Sequence, residues 1–365
     1  LFRQVGIYSH AGQMYEPVDR DTLLYYKEAT DGQILEEGIT EAGAFSSFVA
    51  AGTAYSNYGV SMIPFFIFYS MFGFQRIGDL IWAAGDMGCR GFLIGGTAGR
   101  TTLAGEGLQH QDGHSPLMAQ AYPHVITYDP AFAYEIAVII EEGIKHMFVE
   151  QHNGIYYLTV GNENYPMPAP PAPLDELREP ILKGMYRYRT SEKSGAKARV
   201  QLLGSGSLLL EAIAAAEMLE EKYNVAADVW SVTSYKQLFN DALNTERENM
   251  LNGTDKKPYI VECLGEAKDA SVAVSDYVKM LPYSLARWLD VPLSALGTDG
   301  FGRSEDREGL RDWFEVDRRY VVVGALQSLG EAGKVDRGEA AKAARDLGID
   351  ASKINPMISR WELDQ

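Results

Sequence analysis

Residues 164–173 read Asn-Tyr-Pro-Met-Pro-Ala-Pro-Pro-Ala-Pro, five prolines in ten residues. Proline fixes φ and carries no amide proton, so this stretch fits neither a helix interior nor a central strand. It reads as an extended connection lying over a surface, and it divides the 365 residues into two parts. Length gives the same expectation, because a single core rarely grows past ~250–300 residues. The expected division is a first domain over residues 1–165, a proline-rich linker over 166–190 and a second domain over 191–365.

Both parts alternate short apolar runs with helical patterns. In the first, residues 62–68, 91–95, 124–128 and 155–160 read as strands, and residues 75–86 and 132–148 as amphipathic helices. The run 62–68 suits a strand buried on both faces. In the second, residues 200–203, 227–232, 258–262 and 320–323 read as strands, 208–223 as a helix, and the chain from Asp336 on as helical and charged. The expected class is α/β, two doubly wound domains with mainly parallel sheets, and ligands belong at the carboxyl ends of the strands.

Composition narrows the function. With 33 Lys+Arg against 50 Asp+Glu the formal charge is −17, which argues against nucleic acid as a partner. No apolar run approaches the ~20 residues of a membrane span. The two cysteines, Cys89 and Cys263, form no Cys-x-x-Cys pair; they fit buried packing thiols in a reducing cytoplasm. The opening Leu-Phe-Arg-Gln reads like mid-domain sequence, with no signal-peptide pattern before it. The chain is therefore expected to be a piece of something longer.

Four segments carry candidate chemistry. Gly204-Ser-Gly206-Ser follows a strand and opens a helix, but Leu209 stands where a dinucleotide fingerprint needs its third glycine; a tight turn with capping serines explains it as well. Residues 95–114 form a long glycine-rich loop after a strand, with six glycines, Glu106, His110, Asp112 and His114. Such a loop can bind metal, handle protons or simply pack. Glu36, Glu37 and Glu41 flank a turn at Gly38. The first two suit a solvated helix start, whereas Glu41 opens a small-residue helix able to pack on another subunit, where a carboxyl can share a proton with a nitrogen base. Past the strand at 62–68, Tyr69 and Phe72 reach the mouth of the sheet, where they can stack on a flat heterocycle.

Taken together, Gly-Ile-Thr-Glu-Ala-Gly around Glu41, Phe-Tyr-Ser-Met-Phe-Gly-Phe-Gln-Arg at 68–76 and Gly-Glu-Gly-Leu-Gln-His-Gln-Asp-Gly-His at 105–114 resemble the thiamine-diphosphate enzymes of the transketolase and 2-oxoacid dehydrogenase superfamily. Within it they are most similar to the homodimeric bacterial pyruvate dehydrogenases. The resemblance runs along essentially the whole chain, including Glu-Asn-Tyr-Pro-Met-Pro at 163–168 and Leu-Gly-Thr-Asp-Gly-Phe-Gly-Arg-Ser at 296–304. It implies a pyrimidine-binding domain followed by a transketolase-like C-terminal domain. It also implies oxidative decarboxylation of pyruvate with reductive acetylation of lipoyl groups. By the same resemblance, Glu41 matches the acid that bonds N1′ of the aminopyrimidine. Ile39 matches the apolar wedge beneath the bent cofactor, and Phe72 the ring packed on the aminopyrimidine. Tyr69 matches a residue lining the substrate pocket, and His110 a histidine beside the oxoacid.

The implied cofactors are thiamine diphosphate and Mg²⁺. The implied partners are pyruvate, the lipoyl domain of the dihydrolipoyl acetyltransferase component and a second copy of the chain. The family's Gly-Asp-Gly and downstream Asn are not in the sequence; Thr298 separates Gly297 from Asp299. Their ligands are therefore expected in a domain before Leu1, leaving half of each site here and a chain inactive alone. Other readings are a thiamine enzyme acting on a sugar phosphate or a larger 2-oxoacid, a non-catalytic assembly module, and a metalloenzyme using Glu106, His110, Asp112 and His114.

Overall fold

Four apolar runs of the first part form a parallel sheet: β1 (Phe65–Tyr69), β2 (Arg90–Gly96), β3 (Val125–Tyr128) and β4 (Gly154–Thr159), in the order β1-β2-β4-β3. The structure is a computed structural model describing residues 2–18, 26–105, 107–265 and 269–358; Leu1 and Glu106 lie outside the described residues. The central strands β2 and β4 bury Phe92, Leu93, Ile155 and Tyr157. Helices α1 (Glu41–Gly52) and α2 (Phe74–Asp86) cover this sheet, α1 through Phe45 and Phe48 and α2 through Ile77, Ile81 and Ala84. These buried positions of α2 recur at helical spacing, as an amphipathic helix on a sheet requires.

β1 differs from its expectation. It is an edge strand rather than one buried on both faces, and Ile67 is 64% exposed. A short apolar run cannot distinguish a central strand from an apolar edge.

The second sheet holds β5 (Met185–Arg189), β6 (Ala198–Gly204), β7 (Val225–Val232), β8 (Ala270–Val274) and β9 (Leu293–Leu296), in the order β9-β8-β6-β7-β5. All neighbours are parallel except β5 with β7. Mainly parallel sheets with crossover helices make both domains α/β. Two expected strands are helices. Residues 320–323 lie in the helix Arg318–Glu331, whose start is fixed by the Asp317 carboxylate accepting from the amides of Arg319 and Tyr320. Residues 258–262 lie largely in the helix Tyr259–Leu264, just after Pro258. Of the stretch 166–190, residues 166–173 run without helix or strand. Leu174–Lys183 is a helix with Asp175 and Glu176 in its first turn, and β5 follows.

The two domains exchange carboxylates at their strand ends. Asp129, just past β3, lies over the turn after β6. Gly206 N donates to its backbone carbonyl at 3.2 Å, and a Cβ on Gly206 would stand 2.9 Å from both carboxylate oxygens. Asp276, just past β8, accepts from Thr101 N at 3.1 Å and from its hydroxyl at 3.0 Å. The crevice outside β6 and β8 is where an open α/β sheet usually binds ligand. Here the first domain's Asp129 occupies it, beside a cavity of about 100 Å³.

Asp276 is 4% exposed, and burial pushes its carboxyl up to about 7 although Arg311 draws it down. An unfolded aspartate sits at about 3.9, so the folded protein binds the extra proton in between. The stability this group contributes is therefore full below about pH 4 and is lost as pH rises through 7, on the order of 4 kcal/mol in all. Asp276→Asn removes that term. The difference in melting temperature, variant minus wild type, should grow from pH 5 to pH 8. A difference independent of pH would show that Asp276 does not hold a buried charge.

Candidate active site

Tyr69 ends β1 opposite Gly96 at the end of β2, so the segments that follow these two strands share one mouth. After Tyr69 a single 3-10 turn, Ser70–Phe72, leads into α2. After β2 comes the glycine-rich loop, which returns His110 to the same place. The His110 ring lies 5.6 Å from that of Tyr69 and 5.4 Å from that of Phe72, meeting the latter nearly edge-on at 78°. Tyr69 and Phe72 are 6.2 Å apart. Contacts of this kind hold the three ring planes at steep angles to one another.

Glu41 reaches the cluster through α1. Thr40 Oγ1 accepts from Gly43 N at 3.3 Å, capping the helix and making Glu41 its first residue. An acid is favoured there by the helix dipole. Its Oε2 accepts from Arg76 Nη1 at 3.0 Å, and the Arg76 guanidinium lies over the Phe72 ring, 4.3 Å from its centroid. Arg76 thus links the acid to the aromatic group. Among the described residues only Oε2 of Glu41 is engaged. Ile39, two residues earlier, is 100% exposed.

The structure therefore brings Tyr69, Phe72, His110 and, through Arg76, Glu41 into one connected group, with Ile39 projecting beside Glu41 in sequence. Arg76 is the member that sequence reasoning left without a role, although it closes the 68–76 motif. Glu36 and Glu37 are not in this group.

Asp112 and His114 do different work. Asp112 is fully buried; its Oδ1 accepts from the amides of His114 and Ser115 at 3.0 and 2.9 Å, and its Oδ2 from the Ser115 hydroxyl. It starts α3 (Ser115–Ala119). Burial lowers the His114 imidazole, which lies 3.9 Å from Asp112. Among the described residues no three His, Cys, Asp or Glu side chains gather as metal ligands would. Burial pushes Cys89 up to about 12 and also raises Cys263, so neither is poised as a thiolate nucleophile. The Gly204-Ser-Gly206 turn is closed by Asp129, which leaves no open phosphate cradle there.

Residues 1–168 match the family described as the pyruvate dehydrogenase E1 component middle domain, and residues 184–317 the transketolase-like C-terminal domain. The chain is 52% identical over 360 residues to the pyruvate dehydrogenase E1 component of Pseudomonas aeruginosa. It is 52% identical over 363 residues to that of Escherichia coli K12. Each match covers 98% of this chain and 40% of the relative, so the chain spans about two fifths of their length. Among solved structures, transketolase from Leishmania mexicana superposes with a TM-score of 0.60 at 15% identity, covering 91% of this chain and 40% of that one. That likeness concerns the fold.

Proposed function

The chain belongs to the pyruvate dehydrogenase E1 component family, and on that premise we propose that it carries half of a thiamine diphosphate site. The proposed reaction is oxidative decarboxylation of pyruvate with reductive acetylation of lipoyl groups. The observation that carries this is the run of contacts Glu41–Arg76–Phe72–Tyr69–His110 at the ends of β1 and β2.

These residues fit the ring end of that cofactor. Glu41 offers a carboxylate oxygen, Oε1, that no described residue engages. Phe72 and Tyr69 offer aromatic surface, and Ile39 an aliphatic side chain with its whole surface open. We assign the diphosphate and Mg²⁺ to a domain outside these 365 residues, for which the greater length of the relatives leaves room.

Thiamine diphosphate, when bound, supplies the electron sink for the carbon that loses CO2. Glu41 holds a proton at the ring nitrogen of the aminopyrimidine. Arg76 keeps the Glu41 carboxylate turned to that ring. Phe72 and Tyr69 would wall the pocket against water, and the exposed Ile39 side chain would pack against the cofactor. His110 holds or moves a proton at the carbonyl oxygen of pyruvate or at the lipoyl sulfur. In sum, pyruvate loses CO2, the acyl carbon left behind gives up two electrons, and the lipoyl disulfide takes them, one sulfur ending as the acetyl thioester and the other, with a proton taken up, as a thiol.

The partners are pyruvate, the lipoyl domain of the dihydrolipoyl acetyltransferase component and a second copy of the enzyme. The exposed apolar edge of β1 supports the last of these. No described helix is long and apolar enough to cross a membrane. We place the enzyme in the cytoplasm, a reducing compartment that suits its two free cysteines, Cys89 and Cys263. The enzyme, given Mg²⁺, thiamine diphosphate, pyruvate and a lipoyl domain, should release CO2 and acetylate the lipoyl group, seen by mass spectrometry. Cofactor binding with no CO2 release from pyruvate would overturn this assignment.

A further inference from the structure

The loop that carries His110, between the end of β2 and the start of α3, has four glycines, Gly99, Gly105, Gly107 and Gly113, and its described residues have little regular structure beyond the turn Gly107–Gln109. Glycine-rich backbone has many conformations to lose, so the position of His110 depends on what grips the loop. The grip comes from the second domain. Gln111, adjacent to His110, is 1% exposed. Its carboxamide pairs with the backbone of Arg303 in both directions: Arg303 N donates to Oε1 at 2.8 Å, and Nε2 donates to Arg303 O at 2.8 Å. Nε2 also donates to Leu103 O at 2.9 Å.

Other contacts extend the seam. Gly105 N donates to Glu305 O at 3.0 Å, Arg307 Nε to Thr102 O at 2.8 Å, and Val278 N to Gly113 O at 2.8 Å. Each loop leaves out a side chain where the other passes. A Cβ on Gly107 would stand 2.3 Å from Ser304 Oγ, and one on Gly302 would stand 2.7 Å from Gln111 Oε1.

We propose that Gln111 is a positioning residue for the reaction, and that through it the Arg303 segment of the second domain sets where the His110 imidazole meets substrate. This rests on the role proposed above for His110. A carboxamide is needed because the Arg303 backbone presents a donor and an acceptor together, and Leu103 a second acceptor. A carboxylate in its place meets both carbonyls with oxygen alone. A protonated carboxyl regains one donor.

The test is Gln111→Glu, with Gly302→Ala as an independent route to the same displacement, in the assembled enzyme. In both variants kcat/KM for pyruvate should fall about 100-fold, as for a reacting group misplaced by about 1 Å. Affinity for thiamine diphosphate should stay at the wild-type value, because Glu41 and Phe72 lie on other segments. The deficit of Gln111→Glu should narrow as pH falls and the new carboxyl takes a proton; Gly302→Ala should show no such recovery. Wild-type kcat/KM in both variants would overturn the proposal. So would a deficit that ignores pH and tracks lost cofactor affinity, since that is the mark of general damage. Failure of the functional assignment is separable, for then the wild-type enzyme itself would not decarboxylate pyruvate.

Discussion

His110→Ala should slow pyruvate turnover about 10²–10⁴-fold, the range for losing a positioned acid or base, with little change in cofactor affinity. The reason lies in how the histidines are distributed. His124 is bonded to Ile81 O at 2.9 Å, His146 and His152 stack on each other at 4.9 Å, and His114 backs onto Asp112. Among the described residues, His110 is the histidine in ring contact with Tyr69 and Phe72. Alanine there removes the imidazole but leaves Glu41, Arg76 and Phe72 joined. Turnover followed by CO2 release, and cofactor binding followed by calorimetry, should therefore separate. Cofactor affinity that collapses with turnover would make His110 part of the cofactor's wall, and wild-type turnover would remove it from the reaction.

The parts of the fold that were legible are those governed by local pattern. The buried runs that became β2, β4, β6 and β7 read correctly because apolar runs of that length between turns and helices have few other uses. The aromatic pair at the end of β1 and the glycine-rich loop after β2 were legible as site candidates because function gathers at strand ends. What escaped depends on distant partners. The valines at 321–323 look like a strand until the Asp317 cap commits them to a helix. Arg76 looks like a surface cation until Glu41, 35 residues away, comes into reach. Gln111 meets Arg303 across 192 residues, a separation at which no periodicity survives. Asp129 fills the crevice of the other domain, so the weak glycine turn at 204–206 could not be judged from its own sequence.

The second large effect belongs to Glu41→Gln. Glutamine matches glutamate in size, and its carbonyl oxygen can still accept from Arg76, so the contact at 3.0 Å to the Phe72-stacked guanidinium has a substitute. What is lost is the ability to exchange a proton with a ring nitrogen. The variant should fold, bind the cofactor and fail in its activation, with turnover about 10²–10⁴-fold below wild type. The most direct measurement is the rate at which the C2 hydrogen of enzyme-bound thiamine diphosphate exchanges with deuterium, before any substrate is added. With Glu41 as the activating acid, exchange in Glu41→Gln falls by the same factor as turnover. Exchange at the wild-type rate would contradict the role of Glu41 and with it the placement of the cofactor ring in this site.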